Sequence, residues 1–269
     1  MHTAVNITGI GIHTGEAGAV RIIPASAGYG MVFVSSGIEI PADPAFIDDN
    51  TYLSTALLRR RHRVRTVEHL LAALLAVGEV DVRIEVTGPE VPILDGSAAP
   101  WVRVLRHAGA TGAFPLAPLG EPIEITANGS SARVIPLKPG ETPSISVTVD
   151  LSAVRQPPSE SIFFPNRDAF DIIASARTFA LTPMIPDLKK AGYAKGGSLE
   201  NALVIDEAGV LNPNGLRYPD EPARHKIVDV IGDLALLGAL PEATMIISRP
   251  GHRLHHDIAR AIRATRGSH

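Results

Sequence analysis

The sequence predicts an α+β fold made of two similar halves. Three observations point there. Residues 66–76, TVEHLLAALLA, read as a helix that stops at Gly78 and leads into the alternating strand DVRIEV at 81–86. Residues 216–238, LRYPDEPARHKIVDVIGDLALLG, read as a second helix that stops at Gly238 and leads through Pro241 into the strand TMIIS at 244–248. Several short strand candidates precede each helix, and a stretch at 115–121, PLAPLGE, separates the two sets as a linker. Residues 1–117 and 118–269 are therefore expected to form two domains of like design, with the starts of their helices facing one another. A functional site would lie between them.

Of the 269 residues, 45% are hydrophobic, and mean hydropathy is +0.15, which is ample material for a core. A net charge of −3 argues against a surface built wholly for nucleic acid or anionic membrane. There is no cysteine, so disulfides and thiolate ligands are excluded and any metal must be held by histidine and carboxylate. The first residues, MHTAVNITGIGIHTGE, lack a basic stretch followed by an apolar run, so no signal peptide is expected. No segment offers about 18 charge-free apolar residues. A soluble, cytoplasmic, monomeric protein without stable membrane insertion or a nucleic-acid partner is the expectation.

Taken in order, residues 7–16, ITGIGIHTGE, form a glycine-punctuated turn carrying His13, and glycine there permits close approach of the backbone to a ligand. Residues 19–23 and 30–34 read as strands, residues 38–49 as a proline-broken loop or small edge ridge, and residues 51–58 as another strand. RRRHRVR at 59–65 holds five arginines and reads as the solvent-exposed tip of a hairpin rather than a phosphate patch. Thr66 is placed to cap the following helix, and Glu68 falls in its first turn, where the helix dipole favours an acid. VPILDGSAAPWV at 91–102 supplies an Asp-Gly turn and a helix start running to 108, with Asp95 and Ser97 as turn residues.

In the second half, residues 122–126, 131–136 and 145–150 read as strands separated by Asn-Gly and Pro-Gly turns. Residues 155–165 read as proline-rich loop, 168–174 as a short helix, 181–197 as a short helix ending at Gly192, and 201–205 as a strand. His255, His256 and the tail after Arg260 read as an exposed helix end.

Within 216–238, His225, Asp229 and Asp233 recur at intervals of four, which lines them along one helix face. Apolar residues cover most of the remaining surface, so these polar groups are buried, and pairing or metal coordination is the usual remedy. By spacing alone, a metal site and salt-bridged core residues both stay open. Adding His69 from the other half completes two histidines and one carboxylate with a fourth position free, the pattern of a catalytic zinc site. Glu68 and His69, adjacent on a helix, point about 100° apart, so one can ligate while the other acts as general base.

In chain order, GIHTG, TVEHLLAAL, EVPILDGSAAPWV, SARTF, GGSLENALV, the 216–238 block and the PGH turn at 250–252 resemble the zinc-dependent UDP-3-O-acyl-N-acetylglucosamine deacetylases of lipid A biosynthesis. The resemblance spans nearly the whole chain. It implies two β-α-α-β sandwich domains with the active site between them, and inserts at about 37–49 and 178–203. It further implies zinc, or Fe2+, on His69, His225 and Asp229, with Glu68 as base and His252 as general acid oriented by Asp233. Thr178 would stabilise the oxyanion, Lys226 and Arg249 would meet the pyrophosphate, Phe179 would open the acyl passage, and His13 would lie on the substrate side. Three departures touch substrate recognition: RQPPSESIFF at 155–164 replaces a glutamine-containing strand, Ala180 replaces a glycine, and Arg249 replaces a lysine. They keep open a divergent paralogue that binds metal and a sugar nucleotide, or one that deacetylates another N-acetylglucosamine substrate.

Overall fold

The computed structural model describes residues 1–266. The first half runs β1 (Val5–Ile10), β2 (Ala17–Pro24), β3 (Met31–Ser35), β4 (Ile38–Pro41), the hairpin β5 (Ala56–Arg59) and β6 (His62–Arg65), α1 (Glu68–Ala76), β7 (Val82–Thr87) and α2 (Ala99–His107). Strand β8 (Leu116–Pro118) leads to the second half: β9 (Ile123–Ala127), β10 (Ser130–Pro136), β11 (Ser144–Val149), β12 (Ser159–Phe163), α3 (Asp171–Ala174), β13 (Phe179–Leu181), α4 (Ile185–Lys190), β14 (Leu203–Asp206), β15 (Gly209–Val210), α5 (Glu221–Leu234), β16 (Leu240–Ser248) and α6 (His252–Arg266). The protein is α+β, as its sequence predicts.

The repeat holds down to the strand pairing. The first sheet has the order β1-β2-β7-β3-β4, antiparallel except where β3 runs parallel to β7. The second has the order β9-β10-β16-β11-β12, antiparallel except where β11 runs parallel to β16. Each half therefore places one helix before its central strand and one after. In β7 the alternation of VRIEVT buries Val82, Ile84 and Val86 on one face, the period that one covered face imposes.

Helices α1 and α5 lie in the interior and pack on one another. Every residue of α1 is buried, because Leu70, Leu71, Leu74 and Leu75 interleave with alanines on all sides. Gly232 sits where α5 meets the start of α1, and a Cβ there would overlap the Glu68 carbonyl. Glycine inside a helix costs roughly 0.5–1 kcal/mol against alanine. Here its missing side chain sets how closely the two helices approach.

Several sequence expectations need correction. Residues 155–165 are not all loop: Ser159–Phe163 forms β12 on β11, its Phe163 buried in the core. The 115–121 linker is pinned, since β8 runs parallel to the first residues of β16. Thr66 does not cap α1; at φ +57 its hydroxyl donates to Glu90 instead, and Val67 stands at the N-cap. The 51–58 strand shortens to β5, because 51–55 forms bends that leave Tyr52 exposed and bury Ser54 and Thr55. Residues 38–49 are an edge strand followed by a 3-10 turn at Pro44–Phe46. Helix α6 is not an exposed end. His255 and His256 are buried on a stripe with Ala259 and Ile262, while residues 267–269 of the expected tail lie outside the described residues.

The Gly232 contact yields a measurable outcome. Gly232→Ala forces α1 and α5 apart, and overpacking of this kind costs about 1–3 kcal/mol. Its thermal midpoint should fall below that of the wild type. A variant with wild-type stability would refute the tight crossing.

Candidate metal centre

At the α1–α5 crossing the two halves bring together residues far apart in the chain. His69 Nε2 lies 3.5 Å from Asp229 Oδ1, and His225 Nε2 lies 3.3 Å from the same oxygen. The His69 and His225 rings stand nearly perpendicular, with centroids 5.0 Å apart. All three side chains are buried. Asp229 Oδ2 accepts from Lys226 Nζ at 2.7 Å, but buried Oδ1 has no hydrogen-bond partner. An ionised oxygen without a donor in the interior calls for a cation. Two nitrogens and an oxygen around a tetrahedral zinc stand about 3.3 Å apart, which is the spacing found here. The residues present fit a His₂Asp metal site.

Local structure prepares two of the three candidate ligands. His225 Nδ1 donates to the Ala176 carbonyl at 3.1 Å, which leaves the Nε2 lone pair for the centre. Burial pushes His225 down to about 3, so the imidazole stays neutral, the ligating form. Burial disfavours charge on Asp229, yet His225, Lys226 and His69 around it hold its carboxyl well below the usual range.

Flanking this trio are a carboxylate and an imidazole. Glu68 accepts from the Thr55 N–H at 3.0 Å through Oε2 and keeps Oε1 3.8 Å from His252 Nε2. Burial pushes Glu68 up to about 7, against the opposing pull of His252 and His69. His252 Nδ1 donates to Asp233 Oδ2 at 2.8 Å. Burial draws the His252 imidazole down, but Asp233 and Glu68 outweigh it and raise it to about 9. Asp233 also accepts from Thr55 and from His255 Nδ1, the latter at 2.8 Å. Burial opposes its charge, and His252 and His255 keep it far below the usual carboxylate range. Asp233 therefore stands apart from the ligand trio, though it shares their helix face.

A cavity of about 650 Å³ opens from this centre. Glu68, His69, His225, Asp229 and His252 line one end together with Thr178, Lys226 and Arg249; Leu181, Met184, Ile185, Leu188 and Val204 make the rest apolar. His13 and Phe179 are also in the wall, His13 packed edge-on against Tyr193 and Phe179 beneath Lys226 Nζ at 5.5 Å. All the predicted site residues except Asp233 line this cavity, and Asp233 stands behind His252. Thr178 is held by its backbone, N to Gly96 O and O from Leu203 N, both at 2.8 Å. Arg249, at φ +51, pairs with Asp150 at 2.7 Å.

Four residues of the site escape sequence reasoning. Thr55 sits in an undistinguished stretch. Buried Glu90 accepts four donors, the backbone N–H groups of His13 and Thr14 and the hydroxyls of Thr14 and Thr66, and so pins the GIHTG turn beside α1. His255 and His256 carried a signal in their helical spacing with Ala259 and Ile262.

Comparison with known proteins follows the same lines. The family model for UDP-3-O-acyl N-acetylglycosamine deacetylase matches residues 1–264. The chain belongs to that family. Membership makes it an enzyme, a deacetylase, and agrees with the resemblance carried by the motifs. Proteins named UDP-3-O-acyl-N-acetylglucosamine deacetylase from Anaeromyxobacter dehalogenans (40% identical, 98% of this chain and 87% of that protein), Nostoc sp. (41%, 97% and 96%) and Neisseria meningitidis (35%, 97% and 88%) are among its relatives. Among the described residues, no helix is long and apolar enough to cross a membrane.

Buried His256 gives a pH signature of stability. Burial lowers it to about 4 in the folded state against an ordinary 6.5, so the unfolded chain binds the proton first. Its contribution is complete above about pH 6.5 and is lost as pH falls toward 4. The thermal midpoint of metal-free protein should therefore drop over this window, less steeply in His256→Gln. Equal slopes would count against the assignment.

Proposed function

We propose that this protein hydrolyses the acetamide of UDP-3-O-acyl-N-acetylglucosamine, giving acetate and the free amine, a cytoplasmic step of lipid A biosynthesis. Residues 1–117 and 118–269 would act as two domains around the substrate. The observation that carries the proposal is the unpartnered Asp229 Oδ1, 3.5 Å from His69 Nε2 and 3.3 Å from His225 Nε2, with Glu68 and His252 at one cavity end. Family membership supplies the substrate class.

His69, His225 and Asp229 would hold the cation, zinc or ferrous iron. Bound there, it supplies Lewis acidity, lowering the pKa of a water and polarising an amide carbonyl. The chain's own groups do the remaining work. Glu68 Oε1 takes the proton of the attacking water, and the Thr178 hydroxyl donates to the tetrahedral oxyanion. Protonated His252 donates through Nε2 to the departing amine, which would otherwise leave as a poor anionic leaving group. Asp233 fixes the opposite face of that imidazole, so its acid form persists at neutral pH. Lys226 and Arg249 meet the diphosphate, and the apolar wall from Phe179 to Val204 takes the acyl chain.

One observation favours a second reading, a related N-acetylglucosamine substrate with a different anionic group: Arg249 is already paired with Asp150, so part of its charge is spent within the protein. Deacetylation assays with and without the diphosphate separate the two.

Glu68→Gln should lower kcat by about 10²–10⁴-fold with little change in KM. The kcat/KM profile should be bell-shaped. Glu68 works ionised, so activity rises with pH through its pKa, at or below about 7 because a neighbouring cation draws it down. His252 works protonated, so activity falls as pH rises through its pKa, at or below about 9 because the same cation disfavours the imidazolium. A flat profile between about pH 5 and 9 overturns both roles. Asp229→Asn should abolish retention of zinc through dialysis, and stoichiometric retention would remove the proposed centre.

A further inference from the structure

Thr55 is fully buried, lines no part of the cavity, and has no chemistry of its own to offer the reaction. Its contacts are unusual in kind. The backbone N–H holds Glu68 Oε2 at 3.0 Å, and the hydroxyl donates to Asp233 Oδ1. Asp233 is ionised and accepts only, so the hydroxyl proton points at it. The Thr55 oxygen is then left as an acceptor, and His256 Nε2, 2.7 Å away, must be the donor. The neutral state of His256 agrees with its burial.

The three partners come from three helices. Glu68 opens α1 in the first half, Asp233 ends α5, and His256 lies on α6. One residue thus grips the carboxylate that acts as base and the carboxylate that orients the acid. The grip is selective for one oxygen of each: Glu68 Oε1 stays turned toward His252, and Asp233 Oδ2 stays free for the His252 and His255 N–H groups. A misplacement of about 1 Å between reacting groups costs on the order of a hundredfold in rate. We propose that Thr55, backed by His256, is a positioning residue that holds the base Glu68 and the acid pair His252–Asp233 at a fixed separation, a role that rests on the deacetylase reading above.

The test compares Thr55→Val, which keeps the shape and the N–H but removes the hydroxyl, with Thr55→Ser, which keeps both donors. In zinc-reconstituted protein, Thr55→Val should lose about 10–100-fold in kcat with KM nearly unchanged, and Thr55→Ser should recover most of it. In metal-free protein, ¹⁵N–¹H spectra should show the His252 Nδ1–H resonance shifted and the His256 Nε2–H lost to exchange in Thr55→Val, and both retained in Thr55→Ser. Should Thr55→Val fail to fold, His256→Leu removes the donor behind Thr55 and should move kcat the same way by a smaller factor. The proposal is overturned if Thr55→Val keeps wild-type kcat, if Val and Ser lose equally, or if the His252 resonance does not move. A wild-type protein that turns over no UDP-3-O-acyl-N-acetylglucosamine sinks the substrate assignment instead, and the resonances then decide the role of Thr55 alone.

Discussion

The crossing of α1 over α5 is the constraint on which the site depends. The Glu68 carbonyl rests where Gly232 has no side chain, and that contact fixes how near the two halves come. At this separation His69, from the first half, reaches within 3.5 Å of Asp229, from the second. Two sheets with the same strand order bring equivalent helices to the same central place, so the two-fold repeat of the chain builds a site shared by both halves. The small local penalty of a glycine inside a helix is offset by the buried apolar surface that α1 and α5 share.

Buried charge is tolerated here by saturation. Glu90 takes four donors, Asp233 takes three, and Glu221 takes Arg177 together with the backbone N–H groups of Arg177 and Arg217. Each of these carboxylates serves as scaffold, because its lone pairs are spoken for. Asp229 is different, with one oxygen satisfied by Lys226 and the other bare. The contrast separates the carboxylate left free to take a cation from those that hold the structure.

The segment from β13 to β15 shows how the apolar end of the cavity is closed. Lys195 N and Gly196 N donate to His13 O and Ile12 O, and a Cβ at Gly196 would overlap the Gly11 carbonyl. Ile12, Ile93 and Ala202 form a small apolar cluster of their own at this seam. The glycines of GIHTG therefore permit a close approach, as the sequence implies, but the backbone that approaches belongs to this chain's own second half. Two hydrogen bonds and a few apolar contacts make this a weaker joint than the α1–α5 crossing.

Much of the molecule was readable from residues alone. Hydrophobic period and glycine stops marked α1, α5 and the strands β7 and β16, because these elements bury faces whose spacing the chain must encode. The four-residue spacing of His225, Asp229 and Asp233 placed them on one ridge, and family motifs divided them by role. Local pattern failed where partners decide the conformation. Strand β12 was hidden behind prolines and serines because pairing with β11, and not propensity, orders it. His255 and His256 looked exposed near a chain end, yet Asp233 and Thr55 supply the hydrogen bonds that let imidazoles enter the core. The sequence by itself determined the fold class, the repeat and the residue types of the candidate centre. Tertiary structure decided which oxygen of Asp229 is bare, which groups flank it and how Thr55 ties them together, since those depend on distances between residues more than a hundred positions apart.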